Sequence, residues 1–160
     1  MLKVDSDLVI IAGGKDAQRN PRAEAYFLNW KTGRVTPLHA MRLPRFGGVC
    51  GRVDDKIVLA GGNLAEPAET EIFDLDTLEW SDGPQLPLFA DFEAGKRFEF
   101  YTQTVANGED SFYVVGGSES GGDIYEFIGG NMTWVKREES LGSERYGHIA
   151  LASGAECFRG

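Results

Sequence analysis

Residues 56–80 read KIVLAGGNLAEPAETEIFDLDTLEW, and this stretch decides the fold. An apolar run (Ile57, Val58, Leu59, Ala60) leads into Gly61 and Gly62. A polar turn follows, then a second apolar segment around Ile72 and Phe73, and finally Trp80. The pattern occurs three times. Residues 9–12 lead into Gly13 and Gly14, and residues 112–115 into Gly116 and Gly117, so the glycine pairs stand 48 and 55 residues apart. A period of that length marks a blade or a solenoid unit.

Each copy also sets an apolar anchor seven positions before the next bulky residue: Leu28 and Val35, Phe73 and Trp80, Phe127 and Trp134. An arginine followed by an aromatic recurs at Arg45 and Phe46, Arg97 and Phe98, and Arg145 and Tyr146. On these residues the chain resembles the kelch repeat family. Its repeat carries a double glycine after a strand, an aromatic and a tryptophan some six or seven residues apart, and an arginine-aromatic-glycine-histidine element. Arg145, Tyr146, Gly147 and His148 match that element. The likeness covers nearly the whole chain and departs from the pattern at Val35, which takes the tryptophan position, and at Glu99, where glycine would follow Phe98. The resemblance implies an all-β chain of kelch-type β-propeller blades, about three four-stranded antiparallel blades in a partial propeller. The repeats fall at 7–46, 47–98 and 99–146, with a further inner strand at 147–153.

Composition agrees with one globular all-β unit. The 160 residues are 42% apolar and 11% aromatic, with 21 glycines and no long stretch of helical periodicity. Sixteen basic against 25 acidic residues leave a net charge of −9, which repels a phosphate backbone and argues against nucleic acid. No run approaches the ~20 apolar residues of a membrane span, and the first four residues are too short and polar for a signal peptide, so a cytoplasmic chain is expected. Cys50 and Cys157 suggest reduced thiols, not a disulfide framework. Asn131, Met132 and Thr133 spell a glycosylation sequon, read here as a solvated turn.

Naming the strands of a blade A to D from the inside outward, the chain is expected to start in strand B at 9–12, with Asp5, Ser6 and Asp7 as the turn before it. Strands C and D follow at 25–29 and 34–38. The second blade places its strands at 48–53, 57–60, 71–75 and 78–81, and the third at 101–105, 112–115, 124–128 and 133–136. One more inner strand is expected at 148–152. The next glycine pair would start at position 161, so the first blade is expected to lack its own A strand.

The glycine pairs are read as structural, because a strand must turn sharply there and a phosphate-cradling loop would open a helix. Trp80 and Trp134 are read as packing residues between blades, while Trp30 lies off the repeat, on the surface of the C to D turn. The recurrence of Arg45, Arg97 and Arg145 at one repeat position favours a structural role. Arg19 and Arg22 have no repeat counterpart and are better candidates for contact, together with Arg42 in the first D to A loop.

The B to C and D to A loops emerge on one face and carry the variation. The second D to A loop is about ten residues longer than the first and holds Leu88, Phe89 and Phe92, which either meet a partner or fold back over the blade edge. Two histidines, His39 and His148, make no catalytic constellation, and no metal cluster or nucleophile elbow is visible, so no enzyme, cofactor or metal is expected. The resemblance implies a protein-protein interaction scaffold, adaptor-like or cytoskeleton-binding; a propeller-type carbohydrate oxidase or sugar isomerase relative is the alternative. Three blades are fewer than the four to eight that close a propeller. The expectation is a piece of a longer protein; the rival is a homodimer completing a six-bladed propeller.

Overall fold

The computed structural model describes residues 2–62, 69–87, 103–116 and 122–143. Among the described residues, twelve strands form three antiparallel four-stranded meanders. Sheet 1 holds β1 (Leu2–Lys3), β2 (Leu8–Ala12), β3 (Ala25–Asn29) and β4 (Arg34–Pro37). Sheet 2 holds β5 (Val49–Val53), β6 (Lys56–Ala60), β7 (Thr70–Asp74) and β8 (Trp80–Asp82). Sheet 3 holds β9 (Gln103–Asn107), β10 (Ser111–Val115), β11 (Asp123–Ile128) and β12 (Thr133–Ser140). The sheets are the blades of a partial propeller that does not close.

The seven-residue spacing has a direct structural meaning. Leu28 pairs with Val35, Phe73 with Trp80, and Phe127 with Trp134, each across the hairpin between the third and fourth strands of its sheet. A side chain at these positions points toward the preceding sheet, as the period-two alternation of a strand requires. Phe73 and Trp80 pack with Ile57 against Ile10 and Phe27 of sheet 1. Phe127 and Trp134 pack with Phe112 against Val53, Val58 and Ile72 of sheet 2. Sheet 2 is covered on both faces, which is why β6 carries the continuous apolar run 57–60 and β7 is buried over four consecutive residues, polar Thr70 and Glu71 included.

The first blade corrects the expectation of a missing A strand. Leu2 pairs with Ile10 and Lys3 with Val9, so sheet 1 has its inner strand. Asp5 makes this possible: its carboxylate accepts the amides of Asp7 at 2.7 Å and Leu8 at 2.8 Å, and the Val4 amide donates to Leu8 O at 2.8 Å. The Arg52 guanidinium of sheet 2 donates to Val4 O and holds the end of this short strand. Two residues are too few to show alternation, and only the turn was visible in the sequence.

Smaller differences concern ends. The third inner strand runs Gln103–Asn107, two residues later than expected, and β12 extends through Ser140, past a bulge between Asp123 and Tyr125. The turns between third and fourth strands also differ. Asn29 and Asp74 occupy the same repeat position and accept amides two or three residues on, from Thr32 and from Asp76 and Thr77. In sheet 3 a 3-10 turn at Gly129–Asn131 replaces them and leaves Asn131, the first residue of the sequon, exposed. Trp30 lies on the surface as expected, with its indole donating to Ser6 O. The expected inner strand at 147–153, with His148, and Cys157 lie outside the described residues.

Candidate functional site

An up-and-down meander puts its B to C and D to A connections at one end and its A to B and C to D turns at the other. The first of these ends is built around Arg45. This side chain is 4% exposed, and its Nη1 donates to Gly61 O at 2.7 Å and Glu69 O at 2.8 Å. Its Nε and Nη2 both donate to Glu71 Oε1, at 3.1 and 2.9 Å. Glu71 is 1% exposed and also accepts the backbone amides of Arg42 and Leu43, at 2.7 and 3.1 Å. A buried charge pair is tolerated because four guanidinium N–H groups and both carboxylate oxygens have hydrogen-bond partners. Its geometry fixes the loop between sheets 1 and 2 onto the third strand of sheet 2.

The glycine pairs make room for the same loop. Gly13 has φ +67°, and a Cβ there would stand 2.4 Å from Arg45 O. Gly62 has φ +72°, and a Cβ there would meet Gly48 N at 2.6 Å. Residues 45–48 therefore thread between Gly13 of one sheet and Gly62 of the next, a closeness that only glycine permits. Gly14 donates to Arg45 O at 2.8 Å, and the Gly61 amide donates to Glu69 O at 3.1 Å. Gly116 keeps a positive φ of 71°. Gly117, Arg97 and Arg145 lie outside the described residues.

Around this buried clamp stands an exposed rim of paired charges. Arg22 bonds Glu24 and lies 3.6 Å from Asp16. Arg42 reaches Asp82 at 3.1 Å and Glu69 at 3.3 Å, and so ties the first D to A loop to sheet 2. The Arg19 side chain is exposed on a tight loop held by Asp16, whose carboxylate accepts the amides of Gln18 and Asn20 at 2.9 and 2.8 Å. Those bonds hold the Asp16 carboxyl below the usual carboxylate range. Lys15 stands 3.4 Å over the Phe46 ring. Arg19, Arg22 and Arg42 thus share one end of the molecule, on two loops that the backbone bridge between Arg22 and Arg45 brings together. Leu88, Phe89 and Phe92 lie outside the described residues.

Both repeat tryptophans serve the packing assigned to them, and each also donates a hydrogen bond. Trp80 Nε1 donates to His39 O at 2.8 Å, and Trp134 Nε1 to Pro84 O at 3.1 Å and Thr70 Oγ1 at 3.3 Å. His39 and Pro84 each stand two residues past the fourth strand of the preceding sheet. The indole thus pins the start of the loop that crosses to the next blade. Glu71 is the residue missed by sequence reasoning. A carboxylate directly before Ile72 and Phe73 in a strand covered on both faces was the signal, because a buried acid requires a cation beside it.

Two other features complete the inventory. A cleft of about 590 Å³ runs between the inner strands β1, β5 and β9 and is lined by Lys3, Cys50, Arg52, Thr104 and Phe112. Burial pushes the Cys50 thiol up, which keeps it protonated and weakly nucleophilic at neutral pH. Among the described residues, one group of three side chains has metal-ligand proximity: Asp55, Asp74 and Asp76, at the opposite end from the loops. Lys56 Nζ already sits there, 3.1 Å from Asp55 and 3.0 Å from Asp74, and the Thr77 and Asp76 amides with Lys56 draw the Asp74 carboxyl down to about 2. Among the described residues no helix is long and apolar enough to cross a membrane. Compared with protein-family models and with curated protein sequences, the chain matches none.

Proposed function

We propose that this chain is a protein-protein interaction scaffold of the kelch type, acting in the cytoplasm and presenting its B to C and D to A loops to a protein partner. The observation that carries this reading is the division of labour at the loop end. Arg45 and Glu71 form a buried, hydrogen-bonded base, and Arg19, Arg22 and Arg42 stand exposed above it among carboxylates. Loops held on a stiff sheet frame lose little entropy on docking. Arginines with planar forks exchange an internal carboxylate for a partner's with little rearrangement. The net charge of −9 argues against nucleic acid as that partner.

The test compares the wild-type chain with Arg19→Glu/Arg22→Glu and with Lys31→Glu, a control at the opposite end, as baits for cell extract. A protein captured by wild type and by the control but lost with the double variant is then purified and titrated. A Kd raised at least tenfold by Arg19→Glu/Arg22→Glu supports the reading. Equal binding by all three baits, or no specific capture, overturns it.

A further inference from the structure

In each sheet one face meets the preceding sheet and the other meets the following one. Among the described residues no sheet covers the preceding face of sheet 1 or the following face of sheet 3. Val9, Leu28 and Val35 are cross-strand neighbours on the open face of sheet 1, next to Tyr26. Val35 is 56% and Tyr26 37% exposed, and among the described residues nothing lies over this apolar surface. On sheet 3 the open face is a groove of about 780 Å³ lined by Val105, Tyr113, Val115, Ile124 and Val135.

The repeat positions give the sizes that meet at each contact. Between sheets 2 and 3, small groups face large ones: Gly51, Val58 and Ile72 lie opposite Phe112, Phe127 and Trp134. A Cβ on Gly51 would stand 2.3 Å from the Phe112 ring. On the two open faces the sizes are reversed. Val105, Tyr113 and Glu126 of sheet 3 hold the positions of Gly51, Val58 and Ile72, whereas Val9, Leu28 and Val35 of sheet 1 hold those of Phe112, Phe127 and Trp134. A bulky face and a slim face remain, and they fill the same layer as the internal contact does.

We propose that the open face of sheet 3 receives the open face of sheet 1 from a second copy of this chain, twice over, about a two-fold axis. Six sheets then close one ring, within the four to eight that propellers use. The polar groups on the sheet 3 face do not oppose this. Arg137 pairs with Glu126 at 2.9 Å, lies over the Tyr113 ring and feels the Glu139 charge, Lys136 pairs with Asp123 at 2.6 Å, and Asn107 Nδ2 donates to Ser111 Oγ at 2.9 Å and to Glu126 Oε1 at 3.3 Å, so covering Arg137, Lys136, Glu126 and Asn107 leaves each with its partner. Area is also sufficient. Four strands stand about 19 Å across and five residues run about 16 Å, so a face covers roughly 300 Å². Closure covers four faces, about 1,200 Å², at the lower bound of a stable specific interface. This assembly is independent of which partner the loops bind.

The experiment measures the solution mass of the full chain by light scattering and the dimer dissociation constant by sedimentation. The expected mass is twice 17.5 kDa. Val35→Trp enlarges the slim face and is expected to raise the dissociation constant at least tenfold. Tyr113→Val added to it reproduces the small-against-large pairing of sheets 2 and 3 and is expected to restore the dimer. Both positions are at least partly exposed in the single chain, so the circular dichroism spectrum is expected to stay unchanged in each variant, while the melting temperature falls with the dimer and returns with it. A mass of 17.5 kDa at every concentration overturns the proposal. So does a dimer indifferent to Val35→Trp, or a double variant that stays monomeric.

Discussion

The contact between sheets 2 and 3 and the contact between sheets 1 and 2 hold by different means. The first is aromatic: Phe127 meets Trp134 at 4.9 Å and Phe112 at 5.6 Å, over a buried floor of Val53, Val58 and Ile72. The second has a smaller buried apolar centre of Ile10, Ile57 and Phe73, with one aromatic pair of Phe73 and Trp80 at 4.9 Å, and adds guanidinium straps from Arg45 and Arg52, while an indole donor is common to both contacts. One repeat pattern therefore supports two energetic solutions. A contact rich in dispersion tolerates few directional bonds, and a contact poor in it needs them to fix the approach of the sheets.

Substitutions separate the two contacts. The largest effect is expected for Phe127→Ala, about 3–5 kcal/mol in urea unfolding, because a fully buried ring leaves a cavity that two packed sheets cannot collapse into. Arg45→Ala should cost about 3–4 kcal/mol by leaving the Glu71 carboxylate buried without its cation. The pair Arg45→Met/Glu71→Leu sharpens this. Apolar replacement of a buried ion pair is often neutral, yet here Gly61 O, Glu69 O and the Leu43 amide lose their partners, so the double variant is expected to remain destabilised. If it recovers wild-type stability, the straps are dispensable and the two contacts are alike.

Tryptophan to phenylalanine changes are smaller. Trp134→Phe is expected to cost about 1–2 kcal/mol and Trp80→Phe about 1 kcal/mol, since each removes an indole donor, and Trp134 serves two acceptors from a more buried position. Equal losses would mean that the indole bond matters and its burial does not. The smallest effect concerns acid. The folded Asp74 carboxyl lies at about 2, below its unfolded value, so its contribution is present above about pH 4 and is lost as pH falls toward 2. Asp74→Asn keeps the turn acceptor and should flatten that part of the melting-temperature profile. An unchanged acid slope would exclude this group as its source.

Much of this frame was legible in the sequence. The seven-residue spacing marked pairs that are true cross-strand neighbours, because the turn between third and fourth strands has one length in all three sheets. The glycine pairs were legible because Gly13 and Gly62 are crowded by a crossing loop and Gly14, Gly61 and Gly116 hold a positive φ. The first inner strand was not, since two residues show no period. The site was legible only in part. Arg45 was recognised by recurrence, but its partner Glu71 is replaced by Tyr26 and Tyr125 at the same position of the other sheets, so no repeat announces it. The ties of Arg22 and Arg42 to nearby carboxylates depend on loop paths that composition does not encode.

The threading of residues 45–48 between Gly13 and Gly62 puts the unit of sequence and the unit of packing out of phase. Cutting the chain at 46/47, where one repeat ends, would leave Arg45 with the first blade and Gly61, Glu69 and Glu71 with the second. A blade transplanted on sequence boundaries would arrive without its clamp. The heritable module of this architecture is a sheet together with the last few residues of the repeat before it, and duplication would have had to copy both.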